Sequence, residues 1–295
     1  LLFGLKATVV ALVLHALIRV ARRALSGWEH WLIAPAAFVL MAWQLAPFPL
    51  VLLAAALMGA LARRDAAPPA AQGPVVFPWR SLIVGISMWA VPAIVLLSLT
   101  GPGSLYSQVY GFFTTAALVT FGGAYAVLAY VSQQAVEAYG WLTQAETVAG
   151  LALAETTPGP LIIVLQFVGF MAGWNTPGAA GQAAAATTTA LLASWATFLP
   201  SFVFILVGAP YVERLTANPR LAAALAGITA AVVGVIANLA VVFAGAVIFP
   251  AGIEAPHWPA LVIALAALIV LERTRIDMLW VIAGGAATGL LIGMA

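Results

Sequence analysis

ALAGITAAVVGVIANLAVVFAGAVIF, residues 224–249, runs for 26 positions without a charged side chain. An α-helix rises about 1.5 Å per residue, so this run is longer than the roughly 30 Å hydrocarbon core of a bilayer. It reads as a membrane span. The same reading applied outward marks nine more apolar stretches: about 3–21, 31–46, 47–62, 81–100, 105–133, 159–174, 180–208, 258–272 and 277–294. Several carry internal breaks. Pro47 and Pro49 separate two short helices, and Gly122-Gly123 and Pro200 are expected to interrupt long ones. Thr143–Ala154 is too short and too polar for a span and reads as a re-entrant or interfacial helix.

Composition agrees. Of 295 residues, 64% are hydrophobic and 7% charged, with a mean hydropathy of +1.11. Soluble domains carry about 25% charged residues, and so few charges cannot cover a soluble surface. The fold class is therefore an all-α polytopic membrane protein with about ten hydrophobic segments. The absence of Cys excludes disulfides, thiolate metal sites and thiol nucleophiles. A net charge of +2 spread over loop arginines argues against a nucleic-acid partner. Three His without paired carboxylates at ligand spacing predict no metal, and no nucleotide loop occurs, so no cofactor is expected.

Basic residues gather at Arg19/Arg22/Arg23, Arg63/Arg64/Arg80, Arg214/Arg220 and Arg273/Arg275. The positive-inside rule places all four groups in the cytoplasm of a multi-pass protein of the cell (inner) membrane. Residues 63–80, rich in Ala and Pro, read as a cytoplasmic linker between residues 1–62 and 81–295. Trp28, Trp31, Trp79, Trp141 and Trp258 fall at expected span ends, as interfacial anchors do.

A repeat also emerges. Leu2-Phe3-Gly4-Leu5-Lys6-Ala7-Thr8-Val9-Val10 aligns with Leu225-Ala226-Gly227-Ile228-Thr229-Ala230-Ala231-Val232-Val233, and His30-Trp31 with His257-Trp258. Segment 3–21 ends at cytoplasmic arginines, whereas 224–249 begins at them, so the copies run oppositely through the bilayer. Inverted repeats of this kind build secondary transporters, with sites near the midplane at broken helices. The chain opens Leu1-Leu2-Phe3-Gly4 without an initiator Met, and the repeat predicts about 120 residues of a first half before residue 1.

Between Arg80 and Arg214 there is no Lys or Arg, and the charges are Glu137, Glu146, Glu155 and Glu213. Glu213 adjoins Arg214 and reads as a loop charge, whereas acids at membrane depth are functional hypotheses. Glu155 is the sharpest, standing before Thr156-Thr157-Pro158-Gly159-Pro160 and an apolar helix that contains Gln166. Backbone amides at that helix start, with the Thr hydroxyls, suit an oxyanion, while Glu155 exchanges a proton. Simple helix capping at the membrane surface is the alternative. The second candidate is Phe121-Gly122-Gly123-Ala124-Tyr125, where two Gly either break the helix or allow close packing. His15 and Asn238 occupy matching repeat positions and read as structural contacts; Ser132, Gln133 and Gln134 read as solvated at a span end.

Phe121-Gly122-Gly123-Ala124-Tyr125, then Trp141-Leu142, then Thr157-Pro158-Gly159-Pro160, resemble the chromate ion transporter family in order and spacing. On that resemblance, residues 81–295 are a C-terminal transporter half and residues 1–62 the tail of an N-terminal half. It implies export of chromate, or of a similar tetrahedral oxyanion such as sulfate, driven by the proton gradient or by anion exchange. Many members carry a third Gly where this chain has Ala124. A homodimer is compatible with it. Two other readings stand beside it: a transporter for another small anion or a neutral solute, and a membrane-embedded enzyme acting on lipid-linked substrates.

Overall fold

The computed structural model describes residues 2–62, 76–119, 124–156, 162–212, 217–250, 252, 254–274 and 276–294. Among them are twelve α-helices and no strand. They are α1 Leu2–Ala24, α2 Trp28–Ala42, α3 Phe48–Ala62, α4 Trp79–Thr100, α5 Leu105–Leu118 and α6 Ala124–Gln133. Then come α7 Gln144–Thr156, α8 Ile163–Asn175, α9 Gln182–Gly208, α10 Pro219–Ile248, α11 Trp258–Arg273 and α12 Met278–Met294. A π-helical turn, Gln134–Ala138, extends α6.

Four of these helices, α1, α4, α9 and α10, are long and apolar enough to cross a membrane. At 15 residues each, α2 and α3 span about 22 Å. Their starts follow local chemistry. Asn218 accepts from the Arg220 and Leu221 amides ahead of Pro219, which gives up no needed donor at a first helical position. Ser104 caps α5 through the Ser107 amide.

Two expectations fail. Pro200 does not break α9, which runs through it; the ring removes one backbone bond, but the surrounding apolar turns keep theirs. Segment 105–133 is not one continuous helix. It divides into α5 and α6, which fold back on each other: Phe112 and Tyr130 lie with ring centroids 5.8 Å apart. In a continuous helix these residues would stand about 27 Å apart. Phe112 also meets Tyr139 and Trp141. This contact buries Trp141, so it is no interfacial anchor, whereas Trp28, Trp31, Trp79 and Trp258 are exposed as expected.

The helices form two packed groups. α9 holds α8, α5 and α4. Gly169 and Gly173 of α8 lie directly against Thr189, Ala185 and Ala193 of α9, the close approach that small residues four apart allow in membranes. In the other group, α10 packs on α2 and α3, and α1 packs on α11 and α12, with α1 and α10 also in contact. Gly227 of α10 lies against Ala55 and Gly59 of α3, and Gly4 of α1 against Gly285 and Gly289 of α12. Each long helix thus finds its short pair in the other stretch of chain. At the basic end, His15 Nδ1 lies 2.7 Å from Glu272 Oε1, and Arg22 Nη2 donates to Glu272 Oε2 at 3.0 Å.

Candidate functional site

The two broken segments build similar objects. α5 and α6 flank residues 120–123, and α7 and α8 flank residues 157–161. The second pair also doubles back: Phe167 of α8 lies in the space a Cβ on Gly150 of α7 would need. Near its open end Asn175 Nδ2 donates to the Trp141 carbonyl at 2.8 Å. The pairing of α8 with α9 sets its depth. Gly173 meets Ala185 and Thr189, and Gly169 meets Thr189 and Ala193. Counting residue for residue, α8 begins beside Thr197, about 16 Å before α9 ends at Gly208. The start of α8 therefore lies part-way along α9 rather than at its end.

The expected site residues distribute unevenly over this frame. Phe121, Gly122, Gly123, Thr157, Pro158, Gly159 and Pro160 lie outside the described residues. Glu155 and Thr156 are the last two residues of α7; their backbone is helical, and their side chains lie outside the description. Tyr125 sits in the first turn of α6 and is buried. Gln166 is exposed on α8 and lines a cavity of about 380 Å³ with Gly150, Leu153, Phe167 and Ala190. The hairpin helices pack on one another through α5 with α8 and α6 with α8. Amide-bearing starts of α6 and α8 follow directly on the two motifs, where the positive ends of their dipoles favour an anion.

The other acids resolve differently. Glu146 closes a capping box: its carboxylate accepts from the Thr143 amide at 2.6 Å and the Thr143 hydroxyl at 2.8 Å, and Thr143 Oγ1 accepts from the Glu146 amide. The Thr143 backbone amide holds this carboxyl below its ordinary range, with a smaller contribution from the field of Lys6. Glu137 accepts from Gln44 Nε2 at 2.8 Å. Ser132, expected to be solvated, is 2% exposed and its hydroxyl has no partner among the described residues. Lys6, half-buried on α1 and close enough to α7 to act on Glu146, escaped notice as an ionisable group within an apolar helix. Its place inside the apolar stretch 3–21 was the available signal.

Comparison with known proteins adds the decisive observation: the family model described as Chromate transporter matches residues 107–290. The chain belongs to the chromate transporter family. A chromate transport protein of Pseudomonas aeruginosa is 32% identical over 234 residues, covering 79% of this chain and 52% of that protein. One of Cupriavidus metallidurans is 30% identical over 187 residues, covering 63% of this chain and 42% of that protein. A probable chromate transport protein of Synechococcus elongatus is 32% identical over 143 residues, covering 48% and 33%. The chain spans about half the length, or less, of these relatives. No solved structure matches. The matched region of this chromate transporter family member contains both hairpins and the α10–α12 group. The protein is an integral, multi-pass membrane protein, and the relatives it matches are named as transport proteins rather than enzymes.

Proposed function

We propose that the protein exports chromate, or a closely similar tetrahedral oxyanion, with the proton gradient or anion exchange as the driving force. Residues 81–295 act as the C-terminal transporter half, residues 63–80 as a cytoplasmic linker and residues 1–62 as the tail of an N-terminal half. The observation that carries this is the pair of helical hairpins, each with a glycine- or proline-bearing motif between its arms. Half-helices whose amide ends meet near mid-membrane hold anionic groups in transporters of known design. The residues proposed to meet the anion are Phe121, Gly122, Gly123 and Tyr125 of the first motif, Glu155, Thr156, Thr157, Pro158, Gly159 and Pro160 of the second, and Gln166 in the first turn of α8. Glu155 is the proton-exchanging group. An inverted repeat underlies the frame, supported by the matched close approaches of Gly4 to Gly285 and of Gly227 to Gly59.

Radiolabelled chromate uptake into everted membrane vesicles tests this, using the protein from its complete gene beside Glu155→Gln. Saturable uptake in the wild type and at least a tenfold loss in the variant, at equal membrane level, is the expected result. Unchanged flux in Glu155→Gln removes that residue from the mechanism. Excess sulfate separates chromate from the sulfate reading: strong competition places both ions in one site. Gly122→Leu or Gly123→Leu stops flux if the backbone must approach the ion.

A further inference from the structure

The unabsorbed feature is a small polar cavity away from the two motifs, at the end of the bundle opposite Arg22. It lies where the α2–α3 turn, the π-turn after α6, the start of α7 and the middle of α10 meet. Its volume is about 60 Å³, and its polar lining is Gln44, Ser132, Gln133, Glu137, Gln144 and Asn238. A cavity needs roughly 10–15 Å³ per water, so this one holds about four waters or one partly hydrated ion. Two lining groups have no protein partner among the described residues: the Ser132 hydroxyl, on a residue 2% exposed, and the Gln144 amide nitrogen. Leaving such groups dry costs free energy, so something polar occupies the space.

Charge decides what. The lining carries one carboxylate, Glu137, and no cation. Two helices point their negative ends here, α2 ending at Ala42 and the π-turn ending at Ala138, against one positive end, the start of α7 at Gln144. With Glu137 beside them, an oxyanion would meet net repulsion. A cation meets attraction, and hydroxyl and side-chain carbonyl oxygens complete its shell. No three His, Asp or Glu gather as a metal site among the described residues, and a lone carboxylate suits a monovalent ion better than a divalent one. The mouth is also built: among the described residues Gln44 is the one non-glycine held at positive φ, 53°, and from there its amide donates to Glu137. Such backbone strain persists where the surroundings enforce it.

We propose that this cavity binds a small, partly hydrated alkali cation of sodium size, through Glu137, Ser132 and the side-chain oxygens of Gln133 and Asn238, with a water of its shell accepting from the Gln144 amide. α6 then has its amide end at the Gly122-Gly123 motif and its carbonyl end at the cation. The element that meets the anion is the element that meets the cation, about 15 Å apart along ten residues.

The test is thermal unfolding of the purified full-length protein, with sodium chloride replacing choline chloride at constant ionic strength. A rise of a few degrees over about a hundredfold range of sodium is expected. Glu137→Gln and Asn238→Leu abolish it, and Glu146→Gln keeps it. Binding of ²²Na⁺ to the same proteins gives a second readout for a variant of altered stability. No sodium-specific rise, or a rise equal in Glu137→Gln and Asn238→Leu, overturns the proposal. No oxyanion is present in either measurement, so this result and the fate of the chromate reading are independent.

Discussion

At the scale of single residues, position in the sequence is a poor guide to what an acid does. Glu137, Glu146 and Glu155 look alike as unpaired carboxylates in an interval without Lys or Arg. Glu146 is a capping residue, and Thr143-Gln144-Ala145-Glu146 was a readable capping box. Glu137 could not be read, because its partner Gln44 lies 93 residues away in sequence. The Thr143 amide lowers the Glu146 carboxyl from its ordinary 4.5. A value depressed by folding contributes stability that is complete above the unfolded value and lost as pH falls through the folded one. The Glu146→Gln protein should therefore melt below the wild type at neutral pH, with the difference narrowing as pH falls below 4.5 in a thermal-unfolding series. Chromate flux should survive the change. Thr143→Ala removes the hydroxyl that accepts from the Glu146 amide, leaves the backbone amide to donate to the carboxylate, and should cost about 1 kcal/mol.

At the scale of elements, breaks are legible and directions are not. Gly122-Gly123 and Pro158-Gly159-Pro160 announce that helices stop, since two Gly or a Pro withdraw backbone support. Whether the chain then continues across or turns back depends on distant packing, here Phe112 on Tyr130 and Phe167 on Gly150. Side-specific labelling separates the alternatives cleanly, because the chain has no Cys. Single cysteines at Gly103, Ala138 and Ala179 should all react with an impermeant maleimide from the same face. A continuous crossing by residues 105–133 would place Ala138 on the other face. Packing adds a graded test. Gly173→Val drives a branched side chain into the Ala185 carbonyl of α9 and should cost about 1–3 kcal/mol. Gly111, on α5 with open space around it, should accept Ala at no cost or with a gain of about 0.5–1 kcal/mol. Thermal unfolding of the two proteins measures the contrast.

At the scale of the whole molecule, composition alone established the membrane class, and the repeat in residues 2–10 and 225–233 pointed to paired halves. What it could not show is that partners are exchanged: α10 sits on α2 and α3, while α1 sits on α11 and α12. Gly4→Leu and Gly227→Leu should therefore injure the fold to a similar degree, read as loss of monodisperse protein on gel filtration. The exchange has a consequence for biogenesis. α1 leaves the ribosome carrying Lys6 and His15, but Glu272, which receives His15, is made only after nearly the whole remaining chain. At 5–20 residues per second, about ten to fifty seconds separate the two. Throughout that time α1 sits in the bilayer with His15 unmatched, open to extraction or proteolysis. α11, which carries Glu272, and α12 are the latch that ends its probation.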